Sequence, residues 1–148
     1  MTTPELPSTQ SAFDIRQSVG QQLHLENRER PLEGKVALVT GSSRDIGAGI
    51  AVALAQEGVQ IIGNYRDKTR RAEEVKQGIE VGGGRIEFVR SDITVASDRE
   101  KLKTALDGSF GGKLDILVLN TSGTAETAKQ VCVEANNALV DEFLPRMN

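Results

Sequence analysis

Val36-Ala37-Leu38-Val39-Thr40-Gly41-Ser42-Ser43-Arg44-Asp45-Ile46-Gly47 decides how this chain is read. Four consecutive apolar residues suit a strand covered on both faces. Two glycines then bracket a polar turn, and beyond it the apolar spacing becomes helical, so the segment reads strand, turn, helix. At such a junction the first helical amides face out of the turn at the positive end of the helix dipole, which suits a phosphate or pyrophosphate. A glycine pair alone is a weak signal; between a buried strand and an amphipathic helix it becomes a strong one.

The same alternation continues downstream. A helix is predicted from Ile46 to Gln56, with Ile46, Ile50, Ala53 and Leu54 on its inner side and Gly58 as its stop. Val59–Asn64 reads as a second strand, Lys68 to Glu80 as a second helix, and Gly82-Gly83-Gly84 as a turn. Ile86–Val89 is the third strand, followed by a helix over Asp98–Leu106 that Ser97 or Asp98 can cap. Leu114–Leu119 is the fourth strand, and a last helix runs from Glu126 to about Phe143, ended by Pro145. Strands alternating with helices make βαβ units with right-handed crossovers. The expected fold is therefore α/β: a doubly wound, Rossmann-like parallel sheet of about four strands in the order 3-2-1-4. Ligands of such sheets lie at the carboxyl ends of the strands, at the switch between strands one and four. The apolar fourth strand would form a bare edge, which suggests an incomplete sheet or a partner chain or second copy lying along it.

With 148 residues, 38% of them hydrophobic, the chain suits one domain at positions 34–148. Residues 1–33 are polar and Pro-rich and read as a partly disordered extension, although Ile15, Val19 and Leu23 recur at helical spacing. His24 beside them reads as a surface residue. A net charge of −3 and 3% aromatic residues argue against nucleic acid as a partner. No apolar run approaches the roughly 18 residues of a membrane span, and the first 30 residues lack a signal peptide's apolar stretch, so a soluble, cytoplasmic protein is expected. A single cysteine, Cys132, excludes an internal disulfide and, with one distant histidine, a zinc site.

Thr40-Gly41-Ser42-Ser43-Arg44-Asp45-Ile46-Gly47 resembles the Thr-Gly-x-x-x-Gly-x-Gly fingerprint of the short-chain dehydrogenase/reductase family. Ser91-Asp92-Ile93 at the end of strand three, Asn120-Thr121-Ser122-Gly123 after strand four, and Phe143-Leu144-Pro145-Arg146-Met147 match in the same order. The similarity covers roughly residues 32–148, the cofactor half of a family member. It implies an NAD(P)-dependent oxidoreductase of carbonyl or 3-oxoacyl groups. It also implies cofactor contacts from Gly41, Ser43, Arg44, Ile46 and Gly47 at the phosphates. Asn64, Tyr65 and Arg66 would lie near the adenosine ribose, Asp92 and Ile93 at adenine, and Asn120 and Gly123 near the nicotinamide ribose.

Charge favours NADP over NAD. The acid that would accept the ribose hydroxyls is replaced by Asn64, while Arg44 and Arg66 stand where a 2′-phosphate needs cations. Three departures qualify the resemblance. Asp45 occupies the family's second glycine, where a carboxylate either caps the helix or repels the pyrophosphate. Thr121 and Ser122 replace Asn-Ala, which questions the bracing of the sheet by a second asparagine. Catalysis in the family uses a tyrosine whose pKa is lowered by a lysine four residues on. Here the only tyrosine, Tyr65, is followed at that spacing by Thr69, and Cys132 falls where a helix asparagine would assist; it reads as a small buried residue. No catalytic residue is assigned. The alternatives are a binding module without catalysis that pairs with another chain, or a non-functional truncated product.

Overall fold

A computed structural model describes residues 29–148, apart from Ser122. The helix expected around Ile15, Val19 and Leu23, and His24 beside it, lie outside the described residues. Four strands, β1 (Val36–Val39), β2 (Gln60–Tyr65), β3 (Arg85–Arg90) and β4 (Ile116–Val118), form one parallel sheet in the order β3-β2-β1-β4. Helices α1 (Asp45–Gln56), α2 (Thr69–Val81) and α3 (Ala96–Ser109) connect them. A π-helical segment, Lys129–Ala135, leads into α4 (Asn136–Phe143) and a 3₁₀ turn at Leu144–Arg146, so Pro145 lies at the helix end as expected.

Successive strand residues point to opposite faces, and each face has its own core. Ala37, Val39 and Ile61 pack with Ala48, Ala51, Val75 and Ile79 from α1 and α2. Val36, Leu38 and Ile62 pack with Leu102, Leu106, Leu139 and Phe143 from α3 and α4. This two-sided burial is why β1 and β2 contain continuous apolar runs.

The inner face of α1 differs from the predicted one. Gly47, Ala48, Ala51, Val52 and Ala55 are buried, whereas Ile46 is 74% exposed and Ala53 is also exposed. Ile50 and Leu54 flank the core half-buried. Asp45 starts α1 with φ 51°, in the left-handed region. Small residues then face the sheet. The helix α3 likewise starts earlier than expected, with Val95 at the cap position. Neither Ser97 nor Asp98 caps it; both lie inside its first turn, and the Asp98 carboxylate accepts the Asp92 amide at 2.8 Å. The last helix is not α-helical throughout. Val131 and Ala135 in the π-helical turns and Leu139 and Phe143 in α4, spaced four apart, all face the core. Cys132, next to the buried Val131, is exposed, contrary to the buried placement read from sequence.

Regular pairing of β4 is limited to Ile116–Val118, all half-buried. Before it, Leu114 is fully buried and forms a parallel bridge with Met147. Asp115 ties this region together: its carboxylate accepts the Asn148 side-chain amide at 2.7 Å and the Val36 amide at 2.9 Å, which hold it below the usual carboxylate range. A lowered folded value means that the stabilisation is complete above the unfolded value of about 3.9 and is lost as pH falls through the folded one. Asp115→Asn is therefore expected to flatten the acid limb of a stability–pH curve measured by urea unfolding below about pH 4. An unchanged limb would show that Asp115 does not contribute.

Candidate functional site

The four strands end on one side of the sheet, where the turns that follow them surround a cleft of about 470 Å³. Its floor is the Gly41–Arg44 turn, which is tied to both neighbouring strands. Toward β4, the Thr40 amide donates to the Val118 carbonyl at 3.1 Å. The Thr40 hydroxyl oxygen accepts the amides of Asn120 and Thr121 at 3.0 and 3.1 Å, and Asn120 Nδ2 donates to the Gly41 carbonyl at 3.2 Å. The bracing that Thr121 put in question thus runs through Thr40 and Asn120, and the Thr121 hydroxyl is buried without a partner. Toward β2, the Ser42 amide donates to the Asn64 carbonyl and the Asn64 amide to Ser42 Oγ, both at 3.1 Å.

Both glycines of the turn are required by space. A Cβ on Gly47 would lie 2.0 Å from the Gly41 carbonyl oxygen, and one on Gly41, at φ 64°, would lie 2.9 Å from Thr121 Oγ1. Gly47 thus lets α1 pack against the turn, and Arg44, which immediately precedes the helix, lines the cleft. Arg44 holds the cap position and makes no side-chain capping bond. Asp45 does not take the capping role either: it is the first residue of α1, and its carboxylate lies 3.8 Å from Arg44 Nε, with both side chains largely exposed.

Of the residues expected at the site, Gly41, Ser43, Arg44, Asn64, Tyr65, Arg66, Asp92, Ile93 and Gly123 line the cleft. Ile46, Gly47 and Asn120 do not line it; Ile46 projects to solvent, while Gly47 and Asn120 sit behind the turn and shape it. Arg66 is raised above its ordinary pKa, first by its hydrogen bond to Asp67 at 2.9 Å and then by that carboxylate's charge. The Arg90 guanidinium, unnoticed in the sequence, donates to the Arg66 carbonyl at 3.1 Å. Asp92 turns one oxygen onto the Thr94 amide and hydroxyl, at 2.9 and 2.6 Å. The Tyr65 ring packs edge-on to Phe88, with centroids 6.0 Å apart. A Cβ on Gly123 would lie 2.6 Å from Thr127 Oγ1, so this glycine lets the loop after β4 fold tightly beside the cleft.

Ser91 and Thr121, quoted in the motif matches but assigned no contact, also line the cleft, as do Lys68, Thr94 and Gln130, which were not singled out as site residues. The signal for Lys68 and Thr94 is positional only, since they lie in the turns that follow β2 and β3, whereas Gln130 comes from the π-helical segment. Among the described residues no cluster of His, Cys, Asp and Glu could hold a metal ion, and no helix is long and apolar enough to cross a membrane.

Residues 35–144 match the family model described as short chain dehydrogenase. The chain belongs to the short-chain dehydrogenase family. An uncharacterized oxidoreductase of Methylorubrum extorquens is 43% identical over 97 residues, which are 66% of this chain and 38% of that protein. A hydroxynaphthalene reductase of Aspergillus fumigatus is 42% identical over 91 residues, 62% of this chain and 33% of that protein. Among solved structures, a short-chain dehydrogenase of Burkholderia cenocepacia in complex with NADP superposes with a TM-score of 0.72 at 32% identity, covering 80% of this chain and 53% of that one. The chain thus spans about a third of the length of these curated relatives and about half of that solved chain. Short-chain dehydrogenases are oxidoreductases, and this chain has their Rossmann-like sheet, in the strand order read from its sequence.

Proposed function

We propose that this chain binds NADP(H), in preference to NAD(H), in the cleft at the carboxyl ends of its strands, as the cofactor-binding part of a carbonyl reductase. The observation that carries this reading is the turn at Gly41–Gly47, held from both sides, too crowded for a Cβ and opening on an uncapped helix start. The phosphate contacts would come from Gly41, Ser43, Arg44 and Ile46, with Gly47 permitting the close approach. Tyr65 and Arg66 would flank the adenosine ribose, Asp92 and Ile93 the adenine, and Asn120 and Gly123 the nicotinamide ribose. Arg44 and Arg66 supply cations for a 2′-phosphate. The Burkholderia relative, solved with NADP, is consistent with that choice. When bound, the cofactor supplies or accepts a hydride. This chain's residues bind and orient it.

Proton transfer is not assigned to any residue present. Tyr65 stands against Phe88 and has Thr69, not lysine, four residues on. The purified chain is therefore expected to bind NADPH in calorimetric titration, with a raised unfolding midpoint, and to show no steady NADPH oxidation with ketones or acyl thioesters. Steady oxidation would overturn the assignment of cofactor binding alone, and a folded chain that binds neither NADPH nor NADH would overturn the whole reading.

Asp45 is the one group of the turn that opposes a bound phosphate. Asp45→Asn keeps a residue tolerant of the left-handed conformation and removes the charge. It is expected to tighten NADPH binding by about fivefold, the scale of an exposed charge interaction. Weaker binding in a titration of this variant would mean that the carboxylate assists the site.

A second reading, a binding module without catalysis, is favoured by the half-buried edge of β4. It expects association through that edge with a second copy or a partner chain. A strictly monomeric species in sedimentation velocity would exclude the self-association arm.

A further inference from the structure

Asn64 was expected beside the ribose, yet its side chain faces into the protein and is 3% exposed. Its Oδ1 accepts the Gly41 amide at 3.2 Å, and its Nδ2 donates to the Ser91 carbonyl at 2.8 Å and to Ser91 Oγ at 2.6 Å. The Ser91 carbonyl can only accept, which fixes the amide nitrogen on that side and the amide oxygen toward Gly41. One buried side chain therefore joins the first residue of the phosphate turn to the end of β3, immediately before Asp92. Asn64 lines the cleft, yet its side-chain amide is held by these protein partners at both of its polar atoms.

We infer that Asn64 is a positioning residue that fixes the distance between the phosphate turn and the adenine side of the cleft, and makes no contact with the ribose itself. This rests on the dinucleotide reading above. A bound dinucleotide spans both regions, so a brace between them matters more to the whole ligand than to a fragment that occupies one. The neighbouring Tyr65 and Arg66, at the rim, are then the residues through which ribose chemistry is sensed.

Asn64→Asp separates a brace from a contact. An acid facing the ribose would accept its hydroxyls and shift preference toward NADH. An acid in the observed position keeps an acceptor for the Gly41 amide but faces the Ser91 carbonyl with an acceptor instead of a donor. Calorimetric titration of the full chain should show NADPH and NADH weakened together, by about tenfold or more, with their ratio unchanged. Adenosine 2′-phosphate, which occupies one side only, should be weakened less. Reversal of the NADPH to NADH ratio, or equal losses for dinucleotide and fragment, would overturn the inference.

Ser91→Ala provides a milder variant should Asn64→Asp fail to fold: it removes the hydroxyl partner and leaves the carbonyl. It should show the same pattern with a smaller loss, and unaltered dinucleotide affinity would count against the brace. Hydrogen exchange supplies a readout that needs no cofactor. The Gly41 amide should exchange about tenfold faster in Asn64→Ala than in wild type under conditions where both remain folded. An unchanged rate removes the brace even if the nucleotides bind. Failure of wild type to bind either nucleotide removes the dinucleotide reading, and with it the ligand half of this inference, while the exchange result still decides the structural half.

Discussion

Gly47→Ala is expected to abolish measurable NADPH binding and to cost about 3 kcal/mol of stability, the upper range for forcing atoms into a packed site. The added methyl would lie 2.0 Å from the Gly41 carbonyl oxygen and 2.6 Å from Asn120 Nδ2. Neither neighbour can yield cheaply. The first is backbone in the turn, and the second donates to that same carbonyl and helps to hold the turn against β4. Relief requires α1 to move away from the turn, displacing the helix start beside the cleft. Gly49, two residues further along the same helix, is exposed to solvent, and a methyl placed there would meet nothing within 4 Å. Gly49→Ala should therefore raise stability by about 0.5–1 kcal/mol through helix propensity alone. Urea unfolding and NADPH titration of both variants test the argument, and equal behaviour of the two would show that contact with the turn does not matter.

Phe143→Ala is expected to have the largest effect on stability, about 3–5 kcal/mol by the usual cost of emptying an aromatic core site. Phe143 is fully buried at the end of α4, in the cluster that contains Leu38, Ile62, Leu102 and Leu139. It attaches the last helix to the face of the sheet opposite α1 and α2. That helix is also tied to α3 by the partly buried Arg99–Glu142 pair at 3.1 Å, which does not restore the apolar packing lost with the ring. The urea midpoint should fall sharply while nucleotide affinity of the folded fraction changes little, since the phosphate turn lies on other elements. A loss below about 1 kcal/mol would mean that the site collapses around the cavity.

Much of this architecture was legible because its determinants are local. Val36–Val39 and the run around Ile61 and Ile62 are buried on both faces, so continuous apolar stretches mark them directly. The turn from Gly41 to Gly47 was legible because its steric demands leave glycine no substitute. Features set by direction were not legible. In α1 small residues face the sheet, and an apolar pattern containing Ile46 pointed to the wrong face. The outward placement of Cys132 depends on which side of the last helix docks, and Val131 and Ala135 are the residues of its π-helical part that do so. Asn64 could be placed at the end of a strand, but its inward role depends on the identity of its partners, Gly41 and Ser91, which are 23 and 27 residues away in sequence. Arg90 was missed for the same reason: its partner is a backbone carbonyl on another strand's exit loop.

Because β1 is flanked by β2 and β4, the turn that follows it has no free side. Thr40 and Asn120 secure it on one flank, and Ser42 and Asn64 on the other. A ligand arriving at such a turn finds its shape already made and gives up little freedom in the protein on binding. The on-rate for a dinucleotide should therefore depend on diffusion and charge more than on rearrangement of the turn, staying insensitive to added viscosity beyond the diffusional effect.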